Sequence, residues 1–244
     1  MTPPDTDPTT SVTVRLLGGF RLTAADKSVP VIPSSQRLLA FLALHESPVS
    51  RITLAGALWP DIPDKRGAAR LRSALWRLVK PPHVLVQVDQ GMLSLGTDVS
   101  VDVAAVRRFA AEIAVPATGT RPASPPASLS SDLLPGWTEH WVIAERDWFR
   151  QLCLRTLEIL SERFRGIGDH FNAQETAVAA LRGDPLRESA HRRLIELHMA
   201  DNNPATALRQ YAAYRSLLHT ELGLTPSPEI RKLVEPLLRR TELR

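Results

Sequence analysis

The segment Asp64–Lys80, DKRGAARLRSALWRLVK, gathers Lys65, Arg66, Arg70, Arg72, Arg77 and Lys80 against a single acid, Asp64. Arginine presents a planar fork that matches a phosphate or the acceptor edge of guanine bidentately, so this choice of residue suits polyanion chemistry. A solvated basic face on an ordinary surface helix is the plainer explanation. Leu71, Ala74, Leu75 and Leu78 recur at helical spacing. At about 100° per residue, the last three fall within roughly 60° of Leu71. Arg66, Ser73, Arg77 and Lys80 fall on the opposite side, and Arg70 and Arg72 flank the apolar stripe. Trp76 also lies on the outward half, where it either packs under a neighbouring hairpin or faces the ligand.

Other chemistry lacks residues to carry it. The sequence contains no G-x-x-x-x-G-K-[ST] phosphate loop, no G-x-S-x-G, no H-E-x-x-H and no C-x-x-C. Gly18-Gly19 reads as a strand turn rather than a dinucleotide fingerprint. His191 and His198 stand two helical turns apart, too far for a shared metal, which leaves packing as their role. The one cysteine, Cys153, sits on an expected helix and reads as a buried free thiol. The reading is therefore of a non-enzyme without cofactor or metal.

The formal net charge is +4 over 244 residues, but its distribution is uneven. Residues 1–110 carry 13 Lys/Arg and 9 Asp/Glu, whereas residues 111–244 carry 17 of each. One segment thus holds the whole positive excess, which favours a phosphate-facing element. No apolar run approaches the roughly 18 residues of a membrane-spanning helix. The N-terminal MTPPDTDPTT has neither the basic nor the apolar region of a signal peptide. A cytoplasmic protein with no membrane partner is expected.

The elements that must position the basic segment can be read around it. Residues 1–11 are expected as a disordered tail. VTVRLL and FRLT flank Gly18-Gly19 as short antiparallel strands, with another turn at Asp26-Lys27. Ser34 or Ser35 is positioned to cap a first helix, QRLLAFLALHE, which Pro48 breaks. Ser50 caps a second, ended by Pro60. Asp64 is the expected cap of the third, basic helix, closed by Pro81-Pro82. HVLVQVDQGMLSLGT forms a hairpin about Gln90-Gly91. The order is a small sheet, three helices and a hairpin, that of a winged helix-turn-helix with a sheet ahead of its first helix. From Val101 the pattern turns helical, interrupted by a Pro/Ser-rich stretch near residues 115–131 expected as a mobile surface loop. Helices are expected over Glu139–Phe164, Asp169–Arg182, Pro185–Ala200, Pro204–Leu222 and Ser227–Arg239. Their small residues and prolines at the joints suggest tetratricopeptide-like packing without a strict 34-residue period.

Several stretches resemble the Streptomyces antibiotic regulatory protein (SARP) family of transcriptional activators. They are VRLLGGFRL, QRLLAFLALH, LAGALWPD and AARLRSALWRLV in the first half. In the second they are LLPGWTEHWVIAERDWFRQ, DPLRESAHRRLIELHMADNN and ALRQYAAYRSLLHTELGLTPSPEI. The family joins an OmpR-like winged helix to a bacterial transcriptional activator domain. The resemblance implies a mainly α protein, with a DNA-binding winged helix over residues 12–100 and an all-helical domain over residues 101–244. It also implies binding of direct repeats in promoter DNA, as a homodimer, and recruitment of RNA polymerase through its sigma subunit. Secondary-metabolite genes, those for antibiotics above all, are the implied targets. Larger relatives append an ATPase, and without a phosphate loop this sequence implies activation independent of nucleotide hydrolysis.

The DNA-facing set is Lys65, Arg66, Arg70, Arg72, Ser73, Arg77 and Lys80, with Gln90 at the hairpin tip. The polymerase-facing loop is Pro60, Asp61, Ile62, Pro63 and Asp64. Val79 stands where many relatives carry another basic residue. The alternative function is an adaptor or ligand sensor acting through the helical half, with a degenerate DNA-binding half. The six retained cations argue against it.

Overall fold

The computed structural model describes residues 12–78, 84–116 and 120–242. The expected tail over residues 1–11, Val79, Lys80 and the Pro81-Pro82 stop lie outside that set. By packing, the chain divides into two units: Met1–Ala105 with Ser131–Trp148, and Val106–Ser130 with Phe149–Arg244. The sequence suggests a single boundary at residue 100. The units are discontinuous instead, because residues 131–148 return to the first sheet.

In the first unit, β1 (Val12–Arg15) pairs antiparallel with β2 (Arg21–Ala24), which pairs with β3 (Lys27–Ser28). The β2–β3 turn is Ala25-Asp26, both with left-handed φ, one residue earlier than expected. Val12 and Val14 alternate inward to the core, the period-2 signature of a half-buried strand. The fourth strand, β7 (Val99–Val101), runs parallel to β1 and closes the order β3-β2-β1-β7. Immediately after it, the Asp102 carboxylate accepts the amides of Leu16 and Leu17 at 3.0 Å and of Val103 at 2.8 Å. It stands in the first turn of the helix that follows, α4 (Asp102–Ala114), and satisfies two amides beyond the end of β1.

Between these strands lie α1 (Pro33–Leu44), β4 (Val49–Ser50), α2 (Arg51–Leu58), α3 (Asp64–Leu78), and a hairpin of β5 (Val86–Asp89) and β6 (Met92–Leu95). Ser50 caps α2, its hydroxyl accepting from the Thr53 amide at 3.0 Å, as expected. Neither Ser34 nor Ser35 caps α1. The cap is Ile32 with Pro33 in the first turn, and Ser35 is buried, donating to the Ala74 carbonyl of α3 at 3.1 Å. The strand β4 pairs with β6, giving a second sheet in the order β4-β6-β5.

Residues 131–148 are bound into this unit by their backbone. The Leu134 amide donates to Leu16, and the Gly18 amide donates to Asp132. Leu133 and Leu134 are buried, and Leu134 adopts a left-handed φ of 43°, uncommon for a residue other than glycine. The Arg146 guanidinium holds the turn. It donates to the carbonyls of Leu133 (2.9 Å), Leu134 (2.6 Å) and Trp137 (3.0 Å). A chain of rings, Phe20–Trp137–Trp141–Phe41, packs beside it at centroid distances of 5.1–6.3 Å.

The second unit contains α6 (His170–Gly183), α7 (Glu188–Ala200), α8 (Pro204–Leu222), α9 (Pro228–Glu242) and most of α5 (His140–Gly166). Consecutive helices pack on each other, as expected for an all-helical second half. Asp169 caps α6 and Asn203 caps α8, while Gly223 at φ 67° ends α8 in the left-handed conformation. The seventh helix begins at Glu188 rather than Pro185. Asp184 first accepts the Leu186 amide in a tight turn, and Arg187 takes the capping position. The Pro/Ser-rich stretch makes two contacts with the helical unit where it is described. Leu129, in a 3-10 turn at Ala127–Ser130, is buried against α6, and Arg121 pairs with Asp169 at 2.8 Å. Residues 117–119 lie outside the described residues.

Cys153 is buried, which pushes its thiol pKa up to about 12 and removes it as a nucleophile at neutral pH. His191 is buried and stacks on Tyr214 at 4.3 Å. Gln210 donates to its Nδ1 at 2.8 Å, and its Nε2–H donates to the Pro185 carbonyl at 2.9 Å. Assigned from these partners, the ring is neutral. Nearby, the Tyr214 hydroxyl and the Ser227 amide both donate to Glu188, each at 3.0 Å.

Two stability measurements follow from these contacts. Arg146→Met leaves three carbonyls without their donor and should lower unfolding free energy by about 2–4 kcal/mol in urea titration. Burial lowers the His191 pKa, outweighing upward pulls from the Pro185 carbonyl and Glu188. The neutral ring therefore supports the fold fully above about pH 6.5, the unfolded imidazole value, and that support is lost as pH falls through the lower folded value. The urea midpoint should drop more between pH values of about 7.5 and 5.5 in the wild type than in His191→Gln.

Candidate nucleic-acid interface

The basic helix α3 starts from a turn rather than from a side-chain cap. The Trp59 carbonyl accepts the Ile62 amide at 3.2 Å, and the Pro63 carbonyl accepts the amides of Arg66 (2.8 Å) and Gly67 (3.0 Å). Pro63 thus holds the position before the helix, and Asp64 lies in its first turn. The expected Asp64 cap is replaced by a favourable charge at the positive end of the helix dipole.

The helix buries one edge: Gly67, Leu71, Ala74 and Leu78. Leu71 and Ala74 are each 1% exposed. This edge packs on α1 and α2, with the Ser35–Ala74 hydrogen bond fixing its rotation. The opposite face follows by geometry. Lys65, Arg66, Arg70, Arg72, Ser73 and Arg77 are all exposed. Among the described residues none of these five cations has an acidic partner. Several arginines of the helical unit are ion-paired instead. There Arg187 pairs with Glu158 at 2.6 Å, Arg193 with Glu162 and Glu196 at 2.6 Å, and Arg165 with Glu162 at 2.5 Å. The Glu158 carboxylate is opposed by burial, yet hydrogen bonds from Arg187 and Ser189 outweigh this and hold its pKa below the ordinary range. What distinguishes α3 is that five such cations are gathered on one helix face.

Arg70, Ser73 and Arg77 line an open groove of about 600 Å³ with Pro33 and Ser34 of α1. The anion-binding character of this groove comes from Arg70 and Arg77, because Pro33 has no N–H and the Ser35 and Gln36 amides are already bonded to the Ile32 carbonyl. Arg37 also lines it but is held by Glu139 at 2.5 Å. Ser73 is only partly available, because its hydroxyl donates to the Ala69 carbonyl at 3.1 Å.

Pro60, Asp61, Pro63 and Asp64 are exposed, and Ile62 is half-buried beside the buried Trp59. The loop thus presents two carboxylates immediately before the basic helix. Gln90 is exposed at the tip of the hairpin, where Gln90 and Gly91 have φ of 46° and 81°, the geometry of a tight two-residue turn. Gly96 is required at the hairpin's base, since a β-carbon there would collide with the Val84 carbonyl. Trp76 is 79% exposed and does not pack under the hairpin. Lys80 lies outside the described residues.

Sequence reasoning missed Asp102, β4 and Arg146, which set the frame behind this face. The aspartate at the junction of VSV and a helical pattern carried a usable signal. The other two depend on partners about 40 residues away in β6 and about 10 residues away in an irregular turn.

No curated protein matches the chain in sequence. Residues 127–238 match the bacterial transcriptional activator domain. Among solved structures, the chain is similar to Mycobacterium tuberculosis EmbR in complex with a low affinity phosphopeptide, with a TM-score of 0.70 at 21% identity. The match covers 94% of this chain and 65% of that one, so the chain spans just under two thirds of its structural relative. Residues 127–238 are thus similar to the bacterial transcriptional activator domain, and the fold of the chain is similar to that of EmbR.

Proposed function

We propose that the protein is a sequence-specific DNA-binding transcriptional activator of the SARP type, regulating secondary-metabolite genes. The observation that carries the reading is the outward face of α3, with five exposed cations that have no acidic partner among the described residues. A helix of this kind fits the major groove, where arginines meet phosphates and guanine edges. The hairpin with Gln90 at its tip acts as the wing, and the groove beside α1 receives the phosphate backbone. Lys80, outside the described residues, is retained from the sequence as a further DNA-facing cation. Two copies bind direct repeats, and the helical unit organises the pair. Its balanced charge, 17 Lys/Arg against 17 Asp/Glu over residues 111–244, supports this division of labour. The match to an activator domain over residues 127–238 supports transcription activation as the output.

The loop Pro60–Asp64 is assigned to RNA polymerase. A negative, exposed tip beside a positive helix is poor for touching phosphate and suits a basic patch on sigma or another polymerase subunit.

Binding to promoter DNA should be strongly salt-dependent. Five or six phosphate contacts give a slope of about −5 in log K against log salt, measured by fluorescence anisotropy. A slope near zero overturns the reading. Arg66→Ala and Arg77→Ala should each cost about 1–3 kcal/mol of binding if they reach base edges. Asp61→Lys separates the two activities. It should keep or slightly raise promoter affinity and lower transcription with purified polymerase. Unchanged transcription at unchanged binding removes the loop from the polymerase interface.

A further inference from the structure

The centre of the outward face of α3 is not cationic. Ala69, Ser73 and Trp76 follow one another at i, i+4 and i+7 and form one ridge along the helix. Lys65 and Arg72 stand on one side of this ridge, and Arg66, Arg70 and Arg77 on the other. Ser73 spends its hydroxyl proton on the Ala69 carbonyl. Trp76 is therefore the one large side chain on the ridge among the described residues, and it is 79% exposed. An isolated exposed tryptophan on a protein surface is unusual, because an indole removes more apolar area from water when covered than any other side chain. The charges flanking it on both sides fix the occupant as a polyanion whose surface also offers an apolar patch. In the major groove of duplex DNA, that patch is the C5 methyl of thymine.

We infer that Trp76 reads a thymine methyl in the target site, between bases or phosphates held by the flanking arginines. This rests on the DNA-binding reading above and adds base selectivity to it. Phosphate contacts position the helix without discriminating sequence, and the arginines favour guanine, so neither group selects a thymine. Covering one methyl with the indole supplies that selection without a hydrogen bond.

The test uses the full chain and duplexes that it selects from a random-sequence pool. Each thymine of the selected duplex is replaced in turn by deoxyuridine, which lacks only the methyl group. At one position the replacement should weaken wild-type binding about fourfold, the effect of losing one buried methyl. Trp76→Ala should bind the thymine and uracil duplexes alike, with an unchanged salt slope, and Trp76→Phe should recover the discrimination. Because Trp76 is exposed, its replacement leaves the core intact, which a thermal melt verifies. If the wild type binds no duplex with salt-dependent affinity, the DNA-binding reading falls and this inference with it. If it binds with a steep salt slope but no uracil weakens it, or Trp76→Ala senses uracil as the wild type does, only the role of Trp76 falls.

Discussion

The docking of one edge of α3 is the constraint on which the exposed chemistry depends. Leu71, Ala74 and Leu78 enter the core, and Ser35 bonds to the Ala74 carbonyl from α1. A helix seated this way cannot roll without exposing leucine and breaking a buried hydrogen bond. The rotation of the helix, and with it the direction of every cation, is set by apolar packing rather than by the charges. The cations repel one another, and none of the five described ones is ion-paired among the described residues. Packing holds together a surface that electrostatics alone would disperse.

Arginine serves different ends in different places of this chain. On α3 it is exposed and unpaired. In the helical unit it forms pairs such as Arg187 with Glu158, partly buried and reinforced by Ser189. In the first unit's return segment, Arg146 replaces missing secondary structure by binding three carbonyls of an irregular turn. One residue type thus serves as a free charge, an ion-pair partner and a backbone clamp. Its neighbours decide which, since the guanidinium is always charged and always needs acceptors.

These differences explain what was legible in the sequence. The face of α3 was readable because helical periodicity alone separates Leu71 and Leu78 from Arg66 and Arg77. The hairpin was readable because Gln90-Gly91 demands left-handed backbone. The Ser50 cap and the bounds of α8 follow from local rules and stand as expected. Ser35 was misread because its partner is the carbonyl of Ala74, far along the chain, so tertiary burial overrode a local preference for capping. The Asp64 cap was misread because Pro63 holds the position before the helix. Strand β7 escaped because three residues carry no periodicity of their own and become a strand only beside β1. Trp76 remained open because periodicity gives a direction, not what lies there.

The return of residues 131–148 to the first sheet has a consequence for how the protein is made. Synthesis runs from the N-terminus, and α1, α2 and α3 emerge early with their mutual contacts close in sequence. The sheet beneath them cannot be completed then. Strand β1 waits for β7 and Asp102, nearly 90 residues later, and for Leu133 and Leu134, later still. Arg146, which clamps that last turn, arrives after all of them. During translation the basic helix therefore precedes its own foundation. For that interval the nascent chain carries an unpaired edge on β1, the kind of surface that recruits chaperones or foreign strands.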